Sequence, residues 1–487
     1  MSINKSMAHG AFWMISMKFF QRGIGLISNI ILVRLLVPED FGLIAMAMII
    51  FGMLELFNSF GFDMVIIQNQ KAQTAHYNTA WTFNLIFGVC MGLLMMLLAV
   101  PAALFYHDPR LTEVMLMVAI LPILAGVDNI GTVDFRKYLE FNKEFKFEML
   151  KFLARFAFTI PLAFWLQSYW ALLWGMLFAR LAGLILSYTM HPFRPKLGLS
   201  LWREFFHFSK WVFIINMGAF LKNRMTDLIL GKVAGPHALG IYSLAYEYAN
   251  LPLTEMAMPI NRAIFPGFSR MSHDLVQLTQ SLLNVVALLA LAIIPAGLGM
   301  CAIASVLVPV LFGEKWLEAV PLMQILSIYG VVFALQNNNG LVYMALGKPR
   351  IVAYLSLVYV SILLPVLIYA TLAWGMIGAA WAVLVVAAVF LVIDYTVLVI
   401  QTQFKIGQLL IQIWRPLVAG LLMYGIIAAT SDYLVGNGTD KKLVLLILIF
   451  AGIVSYGLFV LLLWWLSGKP ASAEHTVLKL CREKLNR

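Results

Sequence analysis

The sequence predicts an all-α polytopic membrane protein with about 14 transmembrane helices, built as two pseudo-symmetric six-helix lobes and a C-terminal helix pair. Hydrophobic residues make up 62% of its 487 residues and charged residues only 12%, whereas a soluble domain is nearer a half and a quarter. Apolar runs of about 20 residues, long enough to cross a bilayer, follow one another along the whole chain. One such run also recurs later in the chain without a gap.

The recurring run is Trp211–Tyr246, which matches residues 198 positions earlier. Trp211 falls on Trp13, Ile229 on Ile31, Leu230 on Leu32, Lys232 on Arg34, Pro236 on Pro38, Gly240 on Gly42 and Ala245 on Ala47. Both copies carry charge within the apolar run. Charge at the bilayer centre costs roughly 2.5–3.5 kcal/mol on insertion scales, so these side chains must face protein, water or a ligand.

The repeat and the apolar runs divide the chain into three parts. We expect an N-terminal lobe over residues 1–205, a C-terminal lobe over 206–402, and an appended helix pair with a basic cytoplasmic tail over 403–487. The expected spans lie at about 10–36, 42–68, 77–105, 112–135, 146–167, 169–191, 207–234, 238–266, 276–311, 318–346, 350–373, 375–401, 408–431 and 442–466.

The loop charges predict the topology. With the N-terminus inside, 21 of the 34 Lys and Arg residues lie in inner segments, 6 lie at outer ends and the rest lie within spans. This bias fits the positive-inside rule with both termini cytoplasmic. The net charge of +11 then reflects topology and contact with anionic lipid headgroups, and no soluble basic domain is present to bind nucleic acid.

Enzyme chemistry finds no support in the motifs. Cys90, Cys301 and Cys481 are far apart and form no CxxC pair, so we interpret them as packing thiols. The sequence contains no phosphate-binding loop, nucleophile elbow or metal-ligand spacing, and we expect no metal and no cofactor. Charges interrupt the first apolar run and no cleavage site follows it, so that run is predicted to be a span and not a signal peptide.

Cations inside the spans are the candidate functional residues. Lys18 and Arg22 are four residues apart and share one face of a helix. Arg224 and Asp227 are three apart, which suits an intrahelical pair. Lys222 and Arg224 are about 200° apart around a helix, so one of them is expected to be structural. Either these groups pair with Glu55, Glu247 and Glu255, or they line a cationic cavity.

Other polar groups have two readings each. Asp128, Asp134 and Asp394 lie near inner helix ends, where we expect headgroup contact or pairing with Arg136. Arg155 and Arg180 are expected to pair with an acid. The polar run within the tenth span either hydrogen-bonds sugars or bridges helices; it consists of Gln336, Asn337, Asn338 and Asn339.

Several segments together identify a family. VRLLVPEDFGLIAMA at 33–47, FGFDMVIIQ at 60–68, LEFNKEFKFE at 139–148, GIYSLAYEYANLP at 240–252, FPGFSRM at 265–271 and LFGEKWLEAVPLMQIL at 311–326 resemble the polysaccharide transport family of the MATE-like MOP superfamily, which includes Wzx-type flippases. The resemblance covers nearly the whole chain. It implies a flippase that moves undecaprenyl-pyrophosphate-linked oligosaccharide across the bacterial inner membrane for O-antigen, lipopolysaccharide, capsule or exopolysaccharide synthesis, by alternating access.

The resemblance also implies roles for residues. Cations in the first, seventh and eighth helices would meet the pyrophosphate headgroup, and here these are Lys18, Arg22, Lys222, Arg224 and Arg262. From the residues themselves, we expect acids in the helices that pair with these cations to be counter-ions or coupling groups for protons or sodium, namely Glu55, Asp63, Asp227 and Glu255. Gln336, Asn337 and Asn338 are the candidate glycan contacts. Membrane lipids, a polysaccharide polymerase and chain-length machinery are the implied partners.

Rival functions differ in the charge or loops they require. A lipid II flippase differs only in its glycan, whereas a cation-coupled multidrug exporter is expected to have an acidic or apolar cavity. A membrane polysaccharide polymerase needs a large outer loop with Arg and His, and the longest outer loop predicted here, about 432–441, has neither. A scaffold has no need of charge inside the membrane. The glycan, the coupling ion and the oligomeric state are not encoded in any motif found here.

Overall fold

The structure of the protein is a computed structural model. It describes residues 3–55, 66–67, 69, 71–201, 209–252, 254, 264, 266–402, 405–470, 472–475, 478–479 and 483, with side chains at all of these except 3–16, 209–219 and 221–223. The chain divides into two compact units, Met1–Gly240 and Ile241–Arg487. The lobe boundary near residue 205 rests on the sequence repeat and stays a prediction.

The first unit is a packed set of helices. They are α1 (Ile3–Leu35), α2 (Pro38–Glu55), α3 (Thr74–Tyr106), α4 (Arg110–Val118), α5 (Ile120–Val127), α6 (Asp134–Lys137), α7 (Phe141–Leu166), α8 (Trp170–Met190) and most of α9 (Ser209–Ala249). A 3-10 turn, Ile130–Val133, precedes α6. In this unit α1 packs on α7, α7 on α8, α3 on α4 and α5, and α2 on α4.

Small residues allow the helices of this unit to approach closely. A Cβ added to Gly88 of α3 would overlap the carbonyl oxygen of Pro122 in α5. The same addition at Gly175 of α8 would overlap the side chain of Thr159 in α7. Association of helices in lipid depends on such close packing, because lipid chains are as apolar as the helices themselves.

The second unit continues with long apolar helices. They are α10 (Leu275–Leu311), α11 (Ala319–Gln336), α12 (Asn339–Ala345), α13 (Pro349–Thr402), α14 (Ile406–Gly436) and α15 (Lys441–Leu466), with a 3-10 turn at Glu314–Trp316. Helix α10 packs on α11, α14 and α15, and α13 packs on α11 and α12. The predicted appended pair, α14 and α15, therefore packs on α10 within this unit.

Two long helices contain breaks at glycine. Gly235 in α9 has φ +80°, and Pro236 follows it directly. Gly375 in α13 has φ +58°, next to the non-helical Trp374. A positive φ suits glycine because it has no Cβ to clash. The second break falls between the predicted spans 350–373 and 375–401.

Within the described residues, ten helices are long and apolar enough to cross a membrane. The all-α membrane class is thus confirmed. One of the ten, α13, has 54 residues and carries the break at Gly375, so a count of helices and a count of crossings differ. The predicted number of about 14 spans remains a prediction.

In the first unit, the turns collect at two ends as the predicted topology requires. At one end, the Tyr169 N–H donates to Asp40 Oδ1 at 3.0 Å, and Lys232 Nζ donates to the carbonyl oxygen of Phe105. At the other end, Tyr77 donates to Asp134. The first end holds the turns predicted to be outside and the second holds those predicted to be inside; which end faces the cytoplasm is still a prediction.

Candidate functional site

The first candidate residues lie on α1. Lys18 is exposed and Arg22 is half-buried, and their spacing places both on one face of the helix. Arg22 lies 13 residues before the Leu35 end of α1, about 20 Å at 1.5 Å per residue. A hydrocarbon core is about 30 Å thick, so Arg22 lies well inside it if α1 crosses the membrane.

Arg224 and Asp227 are brought together on α9. Arg224 Nη1 lies 3.1 Å from Asp227 Oδ2, and the Arg224 side chain is 57% exposed while that of Asp227 is 17% exposed. The intrahelical pair that the spacing predicts is confirmed. The ion pair holds the guanidinium along its own helix, which favours Arg224 as the structural member of Lys222 and Arg224.

The other predicted charges are placed only in part. Glu55 is exposed at the last residue of α2. The side chain of Lys222 and the whole of Asp63, Glu255 and Arg262 lie outside the described residues. The cationic cavity therefore remains a prediction.

The polar run of the predicted tenth span coincides with a helix interruption. Helix α11 ends at Gln336 and α12 begins at Asn339. Gln336 and Asn338 are buried, whereas Asn337 is exposed. Of the three predicted glycan contacts, Asn337 is therefore the exposed one.

The neighbouring Asn339 bridges helices. Its Nδ2 donates to Asp394 Oδ2 at 2.8 Å, and the hydroxyl of Tyr343 donates to Asp394 Oδ1 at 3.1 Å. Asp394 is buried in α13. The expectation that this carboxylate contacts headgroups is wrong, because amide and phenol donors from α12 hold it inside the protein. Asn339 and Tyr343 are more than 50 residues from Asp394 in the sequence, so no local spacing could predict these hydrogen bonds.

Asp128, in the first unit, pairs with a cation other than the expected Arg136. Arg180 Nη2 donates to Asp128 Oδ2 at 2.7 Å, so Asp128 pairs with Arg180 of α8. Arg136, its expected partner, instead lies 3.9 Å from Glu144 through Nε. The prediction that Arg180 pairs with an acid is confirmed.

Asp134 contacts Tyr77 and His191 at the same end of the unit. It accepts from Tyr77, and its Oδ2 lies 3.4 Å from His191 Nε2. Burial lowers the pKa of His191, and the charge of Asp134 opposes that shift. Asn129 adds donors to the carbonyl oxygens of His191 and Phe193. This network fastens the segment after α8 to the rest of the unit, which is a structural role.

Arg415 is one of the 21 cations that the charge count assigned to inner segments. The structure instead buries it within α14. Its Nε lies 3.3 Å from Glu474 Oε1. The C-terminal tail, for which the sequence indicated only a basic cytoplasmic segment, thus supplies Glu474 as the counter-charge of Arg415.

The chain resembles known membrane proteins over most of its length. Residues 31–321, more than half of the chain, match the family model described as "Polysaccharide biosynthesis protein". The lipopolysaccharide biosynthesis protein WzxC of Escherichia coli (strain K12) is 24% identical over 423 residues, covering 85% of this chain and 86% of the relative.

Two solved structures share the fold. The lipid II flippase MurJ in an inward closed conformation has a TM-score of 0.72 at 15% identity, covering 93% of this chain and 99% of that one. A multidrug resistance MATE family transporter of the MOP superfamily, in an inward-facing conformation, has a TM-score of 0.63 at 14% identity, covering 79% and 94%. At these identities the similarity shows a MurJ- and MATE-like fold.

Proposed function

The chain belongs to the polysaccharide biosynthesis protein family, and on that basis we propose that it is a flippase for undecaprenyl-pyrophosphate-linked oligosaccharide in the bacterial inner membrane. The observation that carries the proposal is the family match combined with the fold of MOP-superfamily transporters. The product of the pathway would be O-antigen, capsule or exopolysaccharide. The proposed activity is transport and involves no covalent chemistry.

The substrate explains why charge lies within the spans. A pyrophosphate with attached sugars is too polar to cross hydrocarbon unaided, whereas its polyprenyl tail can remain in the lipid. Arg binds phosphate oxygens through two parallel donors, and Lys binds them as a point charge. A cationic site open to lipid would therefore carry the headgroup across while the tail stays outside, and rocking of two repeats would alternate its access.

Two of the residues proposed to contact the headgroup, Lys18 and Arg22, have side chains within the described part of the chain. They share a face of α1, and Arg22 lies about 20 Å from the helix end. Lys222 and Arg262 are proposed to complete the site. Arg224 is assigned the lesser role of an ion-paired neighbour, because Asp227 lies 3.1 Å away.

Coupling and the route of the glycan are assigned to other residues. Asp63 and Glu255 are the proposed coupling acids, with Glu55 as a counter-ion, since Asp227 already faces Arg224. Asn337 is the proposed glycan contact because it is exposed. Both termini are proposed to be cytoplasmic, and a polymerase with its chain-length machinery would take over the translocated glycan.

A leaflet assay on Arg22 variants tests the proposal. The protein is expressed in a strain that lacks its own flippase, and lipid-linked oligosaccharide is counted on each leaflet. Arg22→Gln should nearly abolish translocation while the folded yield stays normal. Arg22→Lys should weaken it only in part, because the charge remains but the two-pronged geometry is lost.

A paired substitution and a matched control make the result interpretable. If Arg22 serves only to neutralise Glu55, then Arg22→Gln combined with Glu55→Gln should restore transport, and that result would refute the headgroup role. Arg224→Gln is the control, since it removes a similar cation that is already ion-paired. It should reduce translocation less than Arg22→Gln does. Failure of the wild-type protein to translocate any lipid-linked oligosaccharide would refute the flippase itself.

A further inference from the structure

The two copies of the internal repeat contain the same five-residue pattern, P-x-x-x-G. The first is Pro38–Gly42, which opens α2 directly after the end of α1. The second is Pro236–Gly240, which follows the break at Gly235 in α9. The two segments are 198 residues apart, the period of the repeat. In both copies, then, a helix stops and a new helical segment starts with proline.

These two segments pack against each other reciprocally. A Cβ added to Gly42 would overlap the carbonyl oxygen of Pro236, and a Cβ added to Gly240 would overlap the carbonyl oxygen of Pro38. Each glycine thus lies under the proline carbonyl of the other copy. A contact in which i touches j and j touches i is the mark of a local two-fold axis. We call this contact the P-x-x-x-G junction.

The residue after each proline adds a polar contact to the junction. Glu39 and His237 occupy equivalent positions of the two copies, and Glu39 Oε1 lies 2.6 Å from His237 Nδ1. The side chains are 38% and 42% exposed. Exposed ion pairs contribute about 0–1 kcal/mol. The pair therefore aligns the two segments without holding them strongly.

The first-copy segment is anchored separately. Asp40 is buried, accepts from the Val37 N–H at 3.2 Å and accepts from the Tyr169 N–H at the start of α8. These bonds belong to the first copy alone, and they would survive if the junction separated. The contacts described at the junction are the two glycine–carbonyl approaches and the pair of Glu39 and His237.

From these observations we propose that the P-x-x-x-G junction is a latch that separates and re-forms in each transport cycle. The proposal rests on the proposed flippase function. Equivalent residues of two repeats meet at a local axis at one end of the helices, the end where the charge pattern predicts the outside. When two repeats rock to open that end, this contact must break, together with the Lys232 bond to the carbonyl oxygen of Phe105 at the same end. A permanent pivot is the competing role, and it would keep the contact intact throughout.

Crosslinking separates the latch from the pivot. Glu39→Cys with His237→Cys is made in a background without Cys90, Cys301 and Cys481, and joined with a short thiol-reactive linker. The two side chains are 38% and 42% exposed, so cysteine at both positions should be tolerated and the double variant should fold. Transport should fall in proportion to the crosslinked fraction, and a long flexible linker at the same positions should restore it. Full transport by the short-linked protein would refute the latch.

The matched control uses another exposed pair, Glu314 and Lys441, whose charged atoms lie 3.0 Å apart. This pair joins two turns within the second unit. The same short linker between cysteines at these positions should leave transport unchanged. If transport is lost there too, short linkers inhibit wherever they join two turns, and the crosslinking result would no longer support the latch.

A distance measurement makes the test independent of the flippase assay. Spin labels at positions 39 and 237 should give two distance populations in the purified protein, with the short one lost on opening. A single short distance under all conditions would refute the latch even if the protein is a flippase. Two populations in a protein that moves no lipid-linked oligosaccharide would retain the latch and refute the proposed substrate.

Discussion

The buried ion pair between α14 and the tail makes a sharp prediction about stability. The side chains of Arg415 and Glu474 are 2% and 3% exposed, with Nε and Oε1 3.3 Å apart. Ser472 also donates to the second carboxylate oxygen of Glu474. Changing Glu474→Gln leaves a buried guanidinium without its counter-charge. We expect it to destabilise the second unit by about 3–5 kcal/mol, the usual cost of breaking a buried pair.

The expected change is large enough to measure in detergent. About 3–5 kcal/mol corresponds to a fall in melting temperature of roughly 6–20 °C, at 2–4 °C per kcal/mol for a unit of 150–250 residues. The assay is the loss of the monodisperse peak in size-exclusion chromatography after heating. Arg415→Met combined with Glu474→Leu should recover most of the loss, since replacing both charges by apolar groups of similar volume is often neutral or stabilising.

The control is the exposed pair of Lys441 and Glu314, whose side chains are 56% and 67% exposed. Glu314→Gln should change stability by at most about 1 kcal/mol. If Glu474→Gln shifts the melting temperature no more than Glu314→Gln does, the tail is not seated on Arg415 as the structure places it. A double variant as unstable as the single one would show that packing, and not the uncompensated charge, causes the loss.

Three further outcomes can be checked. The hydrogen bond from Arg110 lowers the pKa of Asp108, although burial acts in the opposite direction. Asp108 therefore contributes stability above about pH 4, and this contribution is lost as the pH falls through the lowered pKa. Asp108→Asn should lower the melting temperature at pH 7, and its difference from wild type should shrink in acid. Asp394→Leu should cost about 1–3 kcal/mol, because the buried amide of Asn339 loses its acceptor while the Tyr343 hydroxyl keeps the carbonyl oxygen of residue 394. Asn337→Ala, at an exposed site, should leave the melting temperature unchanged. Reporter fusions at Gly436–Thr439 should report outside and those at Lys143 should report inside, and one reversed site would contradict the predicted topology.

Local sequence predicted the local features well. Pro38 and Gly375 mark breaks that the apolar runs already indicated, since proline and glycine punctuate helices. The Arg224–Asp227 pair follows from a spacing of three residues on one helix. Each of these depends on neighbours within a few residues, and the pattern in the sequence is therefore sufficient to find them.

Partners distant in sequence were not predicted. Asp128 is 52 residues from Arg180, and Asn339 is 55 from Asp394. A carboxylate near a helix end has several cations within reach, and only packing decides which of them it meets. The same holds for Arg415 and Glu474, where an unassigned tail returns to a helix. The headgroup site is harder still, because its proposed members belong to helices from both copies of the repeat.

The junction shows why the repeat is visible at that place in the sequence. When two copies of a segment pack on each other about a local two-fold axis, each glycine faces the proline carbonyl of the other copy. A side chain added to either copy, at Gly42 or at Gly240, meets the same backbone overlap. Both copies are thus limited by one contact, and both keep proline and glycine. Glu39 and His237 carry no such limit, because a polar pair needs complementary groups and not identical ones. The two copies differ there, as they also do at the two positions that follow, Asp40 against Ala238 and Phe41 against Leu239.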